Sequence, residues 1–272
     1  MGSSDPALTY LKDYGYSVIR LPRADIPPGL LLEMDGKELV DLGGLETVFV
    51  AGDTAAPAIT RDEPAAQIAG HVKTTLSIGL GLSLLGQFLK AFGGATVGLE
   101  AQFQQAKTLT FDFDELFTDS VEPAALEKFL AQADIDPRSI NATRLLNEDR
   151  VYVVTRTLKT SRFVVEGQKD KKTAVKVNVP AINDIVGGEV NVAAEGDSKS
   201  KISFDGGDRL VFGLQAVQLQ YEDGRFMAYR SLPPGSAAKR GARGRGAARK
   251  QPKVGKEADY LSSQRSLLTI TK

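Results

Sequence analysis

Arg150–Thr160 reads RVYVVTRTLKT. It is a run of β-branched and aromatic residues with no proline, and it reads as a strong β-strand. Working outward, the same pattern recurs. Arg162–Glu166 and Thr173–Val179 follow as strands around a polar turn at residues 167–172. Glu189–Ala194 and Ser200–Phe204 flank a second turn at residues 195–198, and Leu210–Tyr221 alternates before turning at Asp223 and Gly224 into a strand from Phe226. Strands that return on themselves through short polar turns make an antiparallel sheet. The chain is therefore expected to be α+β: a long, twisted, mainly antiparallel sheet with a few short helices.

Toward the N-terminus the signals are shorter. A strand from Tyr16 stops at Pro22, and Leu30–Met34 with Glu38–Leu42 reads as a hairpin about Asp35 and Gly36. Residues 52–64 are rich in Gly, Asp, Pro and Ala and read as a loop. Pro123–Ala133 reads as a short amphipathic helix with Pro in its first turn and Leu126, Phe129 and Leu130 facing inward. Thr96–Phe113 reads as a long alternating strand, with Val97, Leu99, Ala101 and Phe103 on one face and Leu109, Phe111 and Phe113 continuing it.

Thr74–Leu89, TTLSIGLGLSLLGQFL, carries no charge. It is short for a membrane-spanning helix, which needs about 20 residues. Its period is double. Leu76, Ile78, Leu80, Leu82 and Leu84 alternate with small residues, a strand pattern; Leu76, Leu80, Leu84 and Phe88 also fall at i+4, a helix stripe. The segment can serve as a strand or as a helix, and a buried core helix is the plainer reading.

The 272 residues are 42% hydrophobic and 25% charged, ordinary for a globular chain with a sizeable core. Net charge is zero, but it is unevenly placed. Residues 236–256 hold eight bases (Lys239, Arg240, Arg243, Arg245, Arg249, Lys250, Lys253 and Lys256) and no acid, while residues 1–235 hold 24 bases against 32 acids. This divides the chain into a mildly acidic body (1–235), a Gly/Ala-rich basic linker expected to be disordered (236–256), and a patterned C-terminal tail (257–272) expected to dock back on the body. Tyr260, Leu261, Leu267, Leu268 and Ile270 are the tail's expected anchors.

Enzyme signatures are missing. His71 is the only histidine and there is no cysteine, which excludes a His-rich metal centre, thiolate chemistry and disulfides. No Gly-x-Ser-x-Gly elbow, dinucleotide fingerprint or phosphate loop is present. Asp112, Asp114 and Glu115 form the best carboxylate cluster, which reads as a polar strand end rather than a cation site. Asn141–Thr143 fits a glycosylation sequon, but no secretion signal is apparent, so the match reads as chance; Pro6 breaks the myristoylation pattern begun by Gly2. The expectation is a protein that is not an enzyme and uses no cofactor. The basic linker alone leaves three uses open: a nucleic-acid contact, an anionic-lipid contact, or an exposed protease target. The acidic body argues against nucleic acid.

The opening Asp5–Arg23, the Gly/Ser/Leu-rich segment near residue 80, the strand-rich second half and the short tail beyond a linker together resemble the bacterial gasdermins. The resemblance covers essentially the whole chain and implies a gasdermin N-terminal-domain-like fold with a docked tail. It further implies a pore-forming body held inactive by the tail. A caspase-like or trypsin-like protease would cut the linker, and the body, monomeric before cleavage, would then assemble as a large homo-oligomer on membrane lipids. The protein would be cytoplasmic when inactive and at the inner membrane after cleavage, killing the cell as anti-phage defence. Pore-lining β-hairpins would come from roughly residues 68–105 and 150–205, which makes Leu76, Ile78, Leu80, Leu82 and Leu84 the membrane-inserting candidates. Members of the family often carry a palmitoylated cysteine near the N-terminus; this sequence has no cysteine, so no lipid site is expected. The competing reading is a nucleic-acid-binding protein acting through the linker.

Overall fold

The computed structural model describes residues 15–228 and 269–271, apart from 36–37, 53, 66–72, 114, 171–172, 197–199 and 223. Two strands form its spine. β10 runs from Val151 to Asp170 and β13 from Lys201 to Gln218, paired antiparallel from Tyr152 opposite Gln218 to Glu166 opposite Lys201. Both are long because shorter strands hold their outer edges in relay. Along β10 come β2 (Leu31–Asp35), then β8 (Phe117–Val121), then β7 (Thr108–Asp112). Along β13 come β1 (Ser17–Arg23) and β12 (Asn191–Ala194). β5 (Ile59–Pro64) extends β8, and β6 (Lys73–Ser77) extends β7. β2 turns back into β3 (Glu38–Gly43), whose outer edge carries β16 (Ile270–Thr271) in parallel. The result is a twelve-stranded, mainly antiparallel sheet with few helices, as the sequence indicates; outside it β4 (Phe49–Val50) pairs with β9 (Asp134–Ile135), and β14 (Gln220–Glu222) with β15 (Arg225–Ala228).

The helices cover the sheet. α1 spans Ile78–Ala91, α2 Leu99–Gln102, α3 Pro123–Gln132, α4 Ile140–Asn147 and α5 Val179–Val186. α3 matches its expected span because Pro123 starts it and Leu126, Phe129 and Leu130 are buried. α1 is held by aromatic packing: Phe88 lies 4.7 Å from Phe163 of β10 and 6.1 Å from Phe212 of β13, ring centre to ring centre.

The sheet corrects four local expectations. Residues 59–64 of the expected loop are strand β5, because β8 supplies their ladder. The expected strand at 96–113 survives only from Thr108; residues 99–102 are helical and Val97 is exposed, leaving Leu99 and Phe103 to plug the core without β pairing. The expected turn beginning at residue 167 lies in β10, which continues to Asp170 because β7 and β11 (Thr173–Ala174) pair with it on opposite edges. After β11 the chain forms α5 rather than more strand; the Asn178 side chain accepts from the Ala181 N–H and Pro180 starts the first turn.

Candidate functional site

Three places in this fold bear on function. The first is the uncharged segment. Its two periods are both used, in succession: Leu76 lies on β6 opposite Leu109, and the chain turns helical at Ile78. The expected helix stripe is displaced. The buried face of α1 is Gly81, Leu85, Phe88 and Leu89. Ile78, Leu82 and Leu84 are half-buried against the core, and Leu80 is 52% exposed. Gly81 sets this rotation, since a Cβ there would come within 2.8 Å of the Leu109 Cβ. The other face carries Gly79, Ser83 and Gly86, so the helix shows a small-residue face to solvent. Among the described residues no helix is long and apolar enough to cross a membrane, which says nothing about strands.

The second place is the tail contact. The Leu39 N–H donates to the Thr269 carbonyl at 3.0 Å, and the Thr271 hydroxyl donates to the Leu39 carbonyl at 3.3 Å. Ile270 is 4% exposed and packs in an apolar cluster with Ile26, Leu30, Leu32 and Leu39. Of the five residues expected as tail anchors, Ile270 is the one among the described residues. Tyr260, Leu261, Leu267 and Leu268 lie outside the described residues, as do the eight linker bases and His71.

The third place escaped sequence reading. Lys159 of β10 is buried, with its Nζ 2.7 Å from Asp119 Oδ1 on β8 and 2.9 Å from Asp62 Oδ1 on β5. Arg209 of β13 reaches the same Asp62 oxygen at 2.6 Å and lies 3.6 Å over the Phe117 ring. Asp119 also accepts from the Asp62 N–H at 2.8 Å. Hydrogen bonds from Lys159 and then Arg209 hold the Asp62 carboxyl below the usual carboxylate range. These four residues come from four strands, so no local spacing announces them. The only hints are a lysine inside an apolar strand and the Gly206-Gly207-Asp208 interruption of another.

The carboxylates first considered for a cation are not assembled. Asp112 ends β7, Glu115 is exposed, Asp114 lies outside the described residues, and among the described residues no three acids or histidines gather where a metal would sit.

The pattern of the Bacterial Gasdermin Family matches residues 19–225. The chain is 44% identical over 238 residues to a gasdermin of a Desulfuromonadales bacterium, covering 87% of this chain and 90% of the relative. It is 39% identical over 253 residues to a gasdermin of Lysobacter enzymogenes, covering 92% and 93%. Its fold is similar to the solved structure of a bacterial gasdermin from Bradyrhizobium tropiciagri, with a TM-score of 0.61 at 17% identity over 84% of this chain and 92% of that one. A family match over residues 19–225, with relatives 44% and 39% identical over most of both chains, places it: the chain belongs to the bacterial gasdermin family.

Proposed function

We propose that this chain is an auto-inhibited pore former. The observation that carries the reading is Ile270–Thr271 lying as the last strand on the β3 edge. β3 is otherwise the outer strand of that side of the sheet, and an uncovered edge is a template for pairing with another chain. The body (1–235) is held monomeric while the tail (257–272) covers this edge. Cleavage in the basic linker (236–256) by a caspase-like or trypsin-like protease frees the tail. An intact linker keeps a weakly held tail at an effective concentration of about millimolar, and cutting it removes that advantage. The freed bodies associate and insert strands from residues 68–105 and 150–205 into the cell membrane, where each backbone group must find its partner on a neighbouring strand. Death of the cell as antiviral defence is the biological outcome. The protein acts on lipid rather than as an enzyme.

The test is release of dye from liposomes by the full-length protein before and after limited trypsin. Release only after the cut supports the reading. Release that is absent after a verified cut in residues 236–256, with the body still folded by circular dichroism, refutes it.

A further inference from the structure

We propose that Asp62, Asp119, Lys159 and Arg209 form an electrostatic latch on a bulge in β13, holding both rearranging segments on the body until the tail is released. The inference rests on the pore-forming reading above. Thr160 pairs with Leu210 and Arg162 with Asp205, so residues 206–209 of β13 stand opposite Ser161 alone. Such a bulge interrupts the ladder, and unpaired backbone groups are not tolerated in lipid. Only Lys201–Asp205 precede the bulge on β13, whereas a spanning strand needs about 9–11 residues. A spanning strand that uses Lys201–Asp205, the part of β13 within the proposed inserting region, therefore has to run on through residues 206–209 and draw them into register.

Two contacts oppose that movement. Arg209, at the end of the bulge, is tied to Asp62 and stacked on Phe117, which fastens the bulge to β5 and β8. At the start of the bulge the Phe92 ring lies where a Gly206 Cβ would stand. Phe92 is the residue that ends α1. Straightening the bulge thus moves the seat of α1, and unwinding α1 loosens the bulge, so the two candidate membrane segments share one pivot. Asp62 is the releasable member. Its backbone takes a left-handed φ of 57°, at a register break in the β5–β8 pairing between Thr60 and Glu63, so few ladder bonds hold it there. It is also half-exposed, whereas Lys159 and Asp119 are both buried and remain paired to each other when Asp62 leaves.

Asp62→Asn and Arg209→Gln each weaken the latch and leave the Lys159–Asp119 pair intact. Both variants and the wild-type protein are cut with limited trypsin and added to dye-loaded liposomes. Each variant is expected to release dye about five-fold faster, the factor that loss of a partly exposed charge pair supports. Leu126→Ala, in a separate apolar cluster, controls for general destabilisation and is expected to leave the rate within about two-fold of wild type. Unchanged rates in both latch variants, or equal acceleration by Leu126→Ala at a matched melting temperature, overturn the latch. Hydrogen exchange on the uncut protein keeps the two readings separable: Asp62→Asn is expected to raise exchange at residues 59–64 and 206–209 and not at 151–155. If cut wild type releases no dye, the pore-forming reading fails, and absence of that localised rise overturns the latch independently.

Discussion

The β10–β13 pair and the segment from Lys73 to Ala91 are the two parts of this molecule proposed to enter the membrane, and they stand at different distances from a strand. The pair is already extended, and short strands pair along its outer edges. The segment is divided at Ile78, with five residues of β6 followed by a fourteen-residue helix that buries only one face. The pair has little backbone to reorganise, and the bulge at 206–209 is its largest obstruction, beside smaller register breaks at Val154/Arg156 and Leu158/Lys159. The segment has no bulge but must exchange a helix for a ladder. In the folded protein the strand period of Leu76 to Leu84 is used at Leu76 on β6, and from Ile78 a helix stripe offset from the expected one does the packing.

The largest effect expected from breaking this contrast is at Leu85. It lies on the buried face of α1, and Leu85→Asp leaves an unpaired charge in the core at a cost of about 4 kcal/mol or more. Loss of the cooperative thermal transition checks it. Leu80→Asp is its counterpart on the exposed face. The uncut protein should melt within a few degrees of wild type, because Leu80 is half-exposed. If this face meets lipid, the same charge costs less than the about 2–4 kcal/mol of a basic residue at the midplane, but it recurs in every subunit and dye release after cleavage disappears. Full release by a well-folded Leu80→Asp protein would break the assignment of residues 76–84.

Gly206→Ala probes the obstruction in the pair. A Cβ collides with the Phe92 ring, and overpacking of this kind costs about 1–3 kcal/mol, read as a lower denaturant midpoint with an unchanged slope. The smallest effect is expected at Gly79→Ala. The added methyl meets nothing within 4 Å, so the helix gains up to about 1 kcal/mol. If α1 unwinds to insert, as proposed, the cut variant releases dye more slowly, by up to about five-fold, while its melting temperature rises. Faster release from the stabilised helix would mean that α1 stays helical in the active form.

Much of the fold is legible in local pattern. The Leu31–Gly43 hairpin, the helix from Pro123 and the strands through Val151–Thr160 and Leu210–Tyr221 all stand where alternation or a starting proline puts them. Misreadings cluster where local and long-range preferences disagree. Gln168 and Lys169 look like a turn, yet pairing with β7 and β11 keeps β10 extended through both. Residues 59–64 look like loop, yet β8 supplies them with hydrogen bonds. No local pattern announces that Ile270 and Thr271 pair with β3, because Leu39 lies over 200 residues away in sequence.

By itself the sequence determined the class of sheet, the uncharged and glycine-rich character of the 74–89 segment, and the separation of an acidic body from a basic linker and a patterned tail. These follow from periodicity and composition, which act over a few residues at a time. The tertiary structure alone decided that the segment becomes helix after Ser77, since its two periods are equally written and only the close approach of Gly81 to Leu109 and of Phe88 to Phe163 selects between them. It alone assembled Asp62, Asp119, Lys159 and Arg209, because a charge on one strand gains a partner only when pairing brings in a strand up to 147 residues away.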